Sequence, residues 1–136
     1  MEKIIKSEEE WKKELPEEVY KIARKKGTEP AFSGEYNLVH DNGVYRCRVC
    51  NLDLFSSENK FDSGTGWPSF DRPIAPDRIE TETDNSFGMS RTEIKCARCG
   101  SHLGHVFDDG PKETTGERFC LNSVCLVMDK SLKVRC

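Results

Sequence analysis

Apolar positions along the chain follow two rhythms. Near the N-terminus Trp11 and Leu15 lie four residues apart on one helical face, behind Ser7-Glu8-Glu9-Glu10, in which Ser7 and Glu10 form a capping box. Pro16 opens a second helix, where Val19, Ile22 and Ala23 make an apolar stripe that ends near Gly27. Pro30 and Gly34 mark the exit into irregular chain. From Tyr36 onward the rhythm shortens to strand-like runs: VYRCRV, IETETD, SFGMSRTEIKC, HLGHVFD, ERFCLNSVCLVM and SLKVRC. Asp41-Asn42-Gly43 has hairpin-turn chemistry, and Asp109-Gly110-Pro111 marks a second turn or loop. The pattern predicts one domain, an N-terminal helical flap over 1–35 packed on an antiparallel β-domain over 36–136.

One stretch fits neither rhythm. In FDSGTGWPSF, Gly64 and Gly66 permit backbone conformations that most residues avoid, and Pro68 restricts Trp67 to extended geometry. The segment therefore reads as an ordered loop that holds a large apolar ring at a chosen place. Trp67 either plugs a core edge or faces a ligand.

Composition narrows the function. A chain of 136 residues can bury a real core, and with 33% charged residues it has no apolar run of membrane-spanning length. The start, MEKIIKSEEEWKKE, is too charged for a signal peptide and too acidic for a transit peptide, so a cytoplasmic location is expected. A net charge of -3 offers no basic field for nucleic acid, and neither nucleic acid nor membrane is expected as a partner. Seven cysteines in such a chain point to metal or thiol chemistry rather than a disulfide framework.

Those cysteines fall into two classes. Cys47 and Cys50 in CRVC, with Cys96 and Cys99 in CARCG, have the layout of a tetrahedral four-cysteine zinc site, closed and therefore structural. Neither pair has the strand-to-helix setting of a thioredoxin-like redox motif. The others are Cys120, Cys125 and Cys136. In RFCLNSVCLVM a strand period sets Arg118, Cys120, Asn122 and Val124 on one face, continued by Leu126 and Met128, with Cys125 on the other as a small buried hydrophobe. His102 and His105 follow the second cysteine pair, and with Asp108, Asp109, Arg118, Cys120 and Asn122 they make a set suited to acid–base chemistry around a thiol.

The set CRVC, FDSGTGWPSF, CARCGSHLGHVFDDGP and RFCLNS resembles the B-type methionine sulfoxide reductases, from about Trp11 to about Met128. These enzymes reverse one sulfoxide epimer of oxidised methionine. The resemblance implies a mainly β fold of two antiparallel sheets (β-tent-like) with short N-terminal helices, and a structural zinc site distant from the active centre. It implies Cys120 as the nucleophile that becomes a sulfenic acid. His102, His105, Asp109, Arg118 and Asn122 would surround it and favour its thiolate, with His105 the first choice of acid and His102 the second. Trp67, with Phe107, would hold the substrate methyl group. The loop position where many members carry a resolving cysteine is Thr65 here, which leaves Cys136, Cys125 or an outside thiol, of thioredoxin type or another, to reduce the sulfenic acid. Oxidised proteins are the expected substrates and a monomer the expected state. The alternatives are a non-catalytic zinc-binding interaction module and a thiol peroxidase.

Overall fold

The computed structural model describes residues 2–37, 41–85 and 88–130. Ser7 caps α1 (Glu8–Glu14) as the sequence predicts: its Oγ accepts the Glu10 N–H at 3.2 Å, and Glu10 Oε1 takes the Ser7 N–H at 3.2 Å. Trp11 is buried from this helix, with the Arg24 guanidinium 4.8 Å from its ring centre. Pro16 stands just ahead of α2 (Glu17–Ala23), whose Val19, Ile22 and Ala23 are the buried stripe.

The strands described form two antiparallel sheets. In the smaller, β1 (Val44–Cys47) lies between β2 (Asp53–Ser56) and β9 (Leu126–Asp129). The larger contains β3 (Lys60–Phe61), β4 (Ser69–Phe70), β5 (Ile79–Asp84), β6 (Arg91–Cys96), β7 (His102–Phe107) and β8 (Arg118–Leu121) in the order β3-β4-β8-β7-β6-β5. Phe70 of the larger sheet joins the two: Phe55 stacks on it at 4.6 Å and Tyr45 meets it edge-on at 5.1 Å. Such aromatic pairs add about 0.5–1.5 kcal/mol each beyond the area they bury. Trp11 and Val19 share this core with Leu103, Leu121 and Leu126. The two-sheet, mainly β architecture with short N-terminal helices is the one the sequence implied. Among the described residues no helix is long and apolar enough to cross a membrane.

Two local expectations are corrected. RFCLNSVCLVM is not one strand: β8 ends at Leu121, a 3-10 turn spans Ser123–Cys125, and β9 starts at Leu126 in the other sheet. Leu121 still pairs with Gly104 of β7, whereas Leu126 pairs with Cys47 of β1, so the chain must turn a corner between sheets. The Cys125 N–H donating to Asn122 O at 3.0 Å closes that corner, and the face through Val124, Leu126 and Met128 does not continue from Cys120. Asp41-Asn42-Gly43 is not a hairpin turn either, because both edges of β1 are taken by β2 and β9. Asp109-Gly110-Pro111 does lie in the β7–β8 connection. The run SLKVRC lies outside the described residues.

Candidate active site and metal centre

Cys47 ends β1 and Cys96 ends β6, so the two cysteine pairs come from different sheets. Each pair sits on a similar turn. The Asn51 N–H donates to Cys47 O at 2.7 Å and the Gly100 N–H to Cys96 O at 2.9 Å, with both donors in the left-handed region at φ 67° and 75°. All four sulfurs lie within 4.8 Å of one another, with Cys47 Sγ 3.7 Å from Cys99 Sγ and Cys50 Sγ 3.5 Å from Cys96 Sγ. A tetrahedral ion with bonds of about 2.3 Å holds its sulfurs about 3.8 Å apart, so the cluster fits a four-thiolate metal that staples one sheet to the other.

The second constellation is built by strand register. Ser69 of β4 opposes Cys120 of β8, Cys120 opposes His105 of β7, and His105 opposes Glu93 of β6. Residues opposed across antiparallel strands share a face, so a thiol, an imidazole and a carboxylate stand in one row. A cavity of about 160 Å³ lies over Cys120 and His105, and its lining combines polar His105, Arg118, Cys120 and Asn122 with the apolar rings of Trp67 and Phe107.

His102 and His105, three residues apart, would fall on opposite faces of a regular strand. A bulge changes this: Ile94 pairs with Gly104 but Lys95 with His102, which leaves Leu103 as the extra residue and brings the two rings to 5.3 Å. Each ring is held by an acid. His105 Nε2 lies 2.8 Å from Asp84 Oδ2, and His102 Nδ1 lies 2.7 Å from Glu93 Oε2. His102 is 2% exposed and stands behind the cavity rather than in its lining. Burial holds its pKa below the usual value although Glu93 pulls the other way. With Nδ1 donating to Glu93, the neutral ring keeps Nε2 as a buried acceptor.

Asp109 is exposed and outside the cavity lining. It grips the Arg118 guanidinium at 2.9 and 3.2 Å, which holds the Asp109 carboxyl below its usual pKa. Arg118 in turn lies 4.4 Å over the Phe107 ring. Burial pushes the Cys120 thiol above its ordinary value, and Arg118 and the Thr65 hydroxyl offset this only in part. The net shift is therefore upward: Arg118 favours the thiolate in the expected direction, and burial outweighs it. Cys125 is buried at the corner with Sγ 3.3 Å from His102 O, and burial pushes its thiol up strongly. Cys136 lies outside the described residues.

The Trp67 loop is clamped from the N-terminal side. The Trp67 Nε1–H donates to Glu29 O at 3.0 Å, the Glu29 N–H donates to Asn122 Oδ1 at 3.0 Å, and Glu29 Oε1 accepts the Val124 N–H at 2.9 Å. Gly66 has φ 95°, and a Cβ there would come within 2.8 Å of Ala31 and Phe32. Sequence reasoning missed Glu29, Asp84 and Glu93, because each meets the site through a pairing distant in sequence. It also missed Thr28 and Arg91, which line the cavity. A larger open groove of about 930 Å³ runs between α2 and residues 27–35, but neither a thiol nor a histidine lines it.

Comparison with known proteins gives a consistent picture. The family described as the SelR domain matches residues 15–130. A protein of Chromohalobacter salexigens called peptide methionine sulfoxide reductase MsrB is 54% identical over 125 residues, covering 92% of this chain and 94% of its own. Proteins of the same name from Methanosarcina mazei and Pseudomonas fluorescens are 55% and 56% identical, covering 94% and 93% of this chain and 91% and 96% of their own.

Proposed function

The chain belongs to the SelR-domain family, matched over residues 15–130, and from that premise we propose that its cavity reduces the R epimer of methionine sulfoxide at Cys120. Its relatives are peptide methionine sulfoxide reductases, and this chain is an oxidoreductase of the same kind. The observation that carries the residue-level reading is one row of side chains, Cys120 opposed to His105, lining a small cavity together with Trp67.

The Cys120 thiolate attacks the sulfoxide sulfur while His105 gives a proton to the oxygen. The attack joins the two sulfurs as the S–O bond breaks, and with a second proton the oxygen leaves as water. A water then attacks Cys120 Sγ, the S–S bond breaks, and methionine departs with the bonding pair. Cys120, after losing a proton to solvent, is left as a sulfenic acid. Methionine sulfur gains the two electrons that the cysteine sulfur loses. With Nε2 held by Asp84, His105 uses Nδ1 for the proton exchange. His102, locked to Glu93 behind the cavity, braces His105 and is not the acid. Arg118, steadied by Asp109, and Asn122, tied to Glu29, orient the S=O group, while Trp67 and Phe107 take the methyl group. Two equivalents of an outside thiol then return the sulfenic acid to thiol and water, leaving a disulfide on the reductant.

Zinc is the metal proposed for Cys47, Cys50, Cys96 and Cys99, where it would add folding energy and take no part in turnover. The test is incubation with racemic methionine sulfoxide and dithiothreitol, following each epimer by chiral chromatography. Loss of the R epimer alone, abolished by Cys120→Ser, is expected. Persistence of both epimers with folded, metal-loaded protein would overturn the reading.

A further inference from the structure

Phe32 is 68% exposed and has φ 65°, in the left-handed region that opposes an aromatic side chain. An exposed ring gains little from burial, and its backbone works against it, so stability does not account for phenylalanine at this position. The residue is nevertheless fixed. Its N–H donates to Gly66 O at 2.7 Å, and its Cδ2 covers Gly66 so closely that a Cβ there would approach it to 2.8 Å. A turn closed by the Ser33 N–H on Pro30 O at 3.2 Å holds the segment from behind. Gly66 adjoins Trp67, whose indole is anchored three residues before Phe32, on Glu29 O. Phe32 thus stands beside the apolar wall of the cavity, on the same clamp that sets that wall.

The cavity measures about 160 Å³. Pockets that engulf whole drug-sized ligands span about 300–1,000 Å³, so this one has room for a side chain and little more. A polypeptide carrying the oxidised methionine has to lie across the mouth. We infer that Phe32 is a docking residue for that polypeptide, packing against an apolar side chain adjacent in sequence to the methionine sulfoxide. This rests on the reading of the cavity as a methionine sulfoxide site.

Three substrates test it, with dithiothreitol as reductant: N-acetylmethionine R-sulfoxide, a heptapeptide with methionine R-sulfoxide between leucines, and the same peptide with glycines. Phe32→Asn suits the left-handed backbone and removes the ring, and Phe32→Tyr retains an aromatic surface. Phe32→Asn is expected to lower kcat/KM for the leucine peptide about five- to tenfold, the loss of one well-packed contact, and to leave the other two substrates unchanged. Phe32→Tyr should keep the leucine preference. An equal fall on all three substrates would make Phe32 a support of the Trp67 loop and overturn the proposal, as would no change on any. Wild-type protein inactive on all three would instead defeat the reading of the site itself.

Discussion

Trp67→Ala should erase the discrimination between sulfoxide epimers while the fold survives. Methyl and oxygen exchange places between epimers, so the disfavoured one must point its oxygen at the indole and its methyl at His105, Arg118 and Asn122. An acceptor buried without a donor costs about 1–3 kcal/mol, and about 1.4 kcal/mol is tenfold, which gives a preference of roughly five- to 150-fold from this wall. Removing the ring leaves open volume that water can fill, so the misplaced oxygen regains a partner and the ratio falls toward one. Trp67→Phe keeps an apolar wall but gives up the hydrogen bond to Glu29 O and one ring of the indole, so its ratio should stay above that of Trp67→Ala, with a higher KM than the native protein. Competition between epimers in one vessel, read by chiral chromatography, gives the kcat/KM ratio independent of enzyme concentration. A Trp67→Ala ratio equal to that of the native protein would refute the reasoning, even if turnover fell.

Burial raises the Cys120 thiol, so its alkylation by iodoacetamide, followed by mass spectrometry of the Cys120 peptide, should climb through and beyond the ordinary thiol value of 9.0; Arg118→Met should move that climb to still higher pH, and a downward move would contradict the offset assigned to Arg118. The folded-state pKa of His102 lies below its unfolded value of 6.5, so the unfolded chain takes up that proton first. The resulting stability is complete above 6.5 and lost as pH falls through the folded value, so urea midpoints should decline below about pH 6.5 and decline less in His102→Gln. Stripping the metal with a chelator should lower the melting temperature sharply, because β1 and β6 lose their staple, while Cys120→Ser should retain full metal content by atomic absorption. Thr65→Cys should yield an intramolecular disulfide with Cys120 after one equivalent of sulfoxide, detected as a loss of two hydrogens, where the native protein without reductant gives none at this position.

The cysteine pairs were legible because metal ligation imposes a fixed local spacing, and the Ser7 capping box because it is complete within four residues. Alternation placed Arg118, Cys120 and Asn122 together, and all three line the cavity. It failed one step later, because the same alternation runs on through Val124 and Leu126 while the chain crosses to another sheet. The sequence cannot announce such a corner: it is set by which strands claim Leu121 and Leu126 as partners. The acids behind the histidines were hidden for a related reason. Glu93 reaches His102 only through the bulge at Leu103, and Asp84 reaches His105 from β5, two strands away. Glu29 acts partly through its backbone N–H and carbonyl, which any residue type would supply.

Thr65 shows how one substitution divides two properties of a thiol site. Its hydroxyl lies on a chain through Ser63 to Ser69, at 2.7 and 2.8 Å, and offers Cys120 a hydrogen bond that favours the thiolate. A hydroxyl can do this as well as a thiol can, but it cannot supply the second sulfur of a disulfide. Cys125 cannot readily take over, since it would have to leave its contact with His102 O and open the turn that Asn122 O closes. No other sulfur among the described residues is placed to meet the oxidised Cys120, so that sulfur comes either from Cys136, which lies outside the described residues, or from an outside thiol. That sulfur has to enter the cavity the substrate side chain has just occupied, and about 160 Å³ will not hold both. The two half-reactions therefore exclude each other in space, and methionine must leave before the reductant arrives, the order of a ping-pong mechanism.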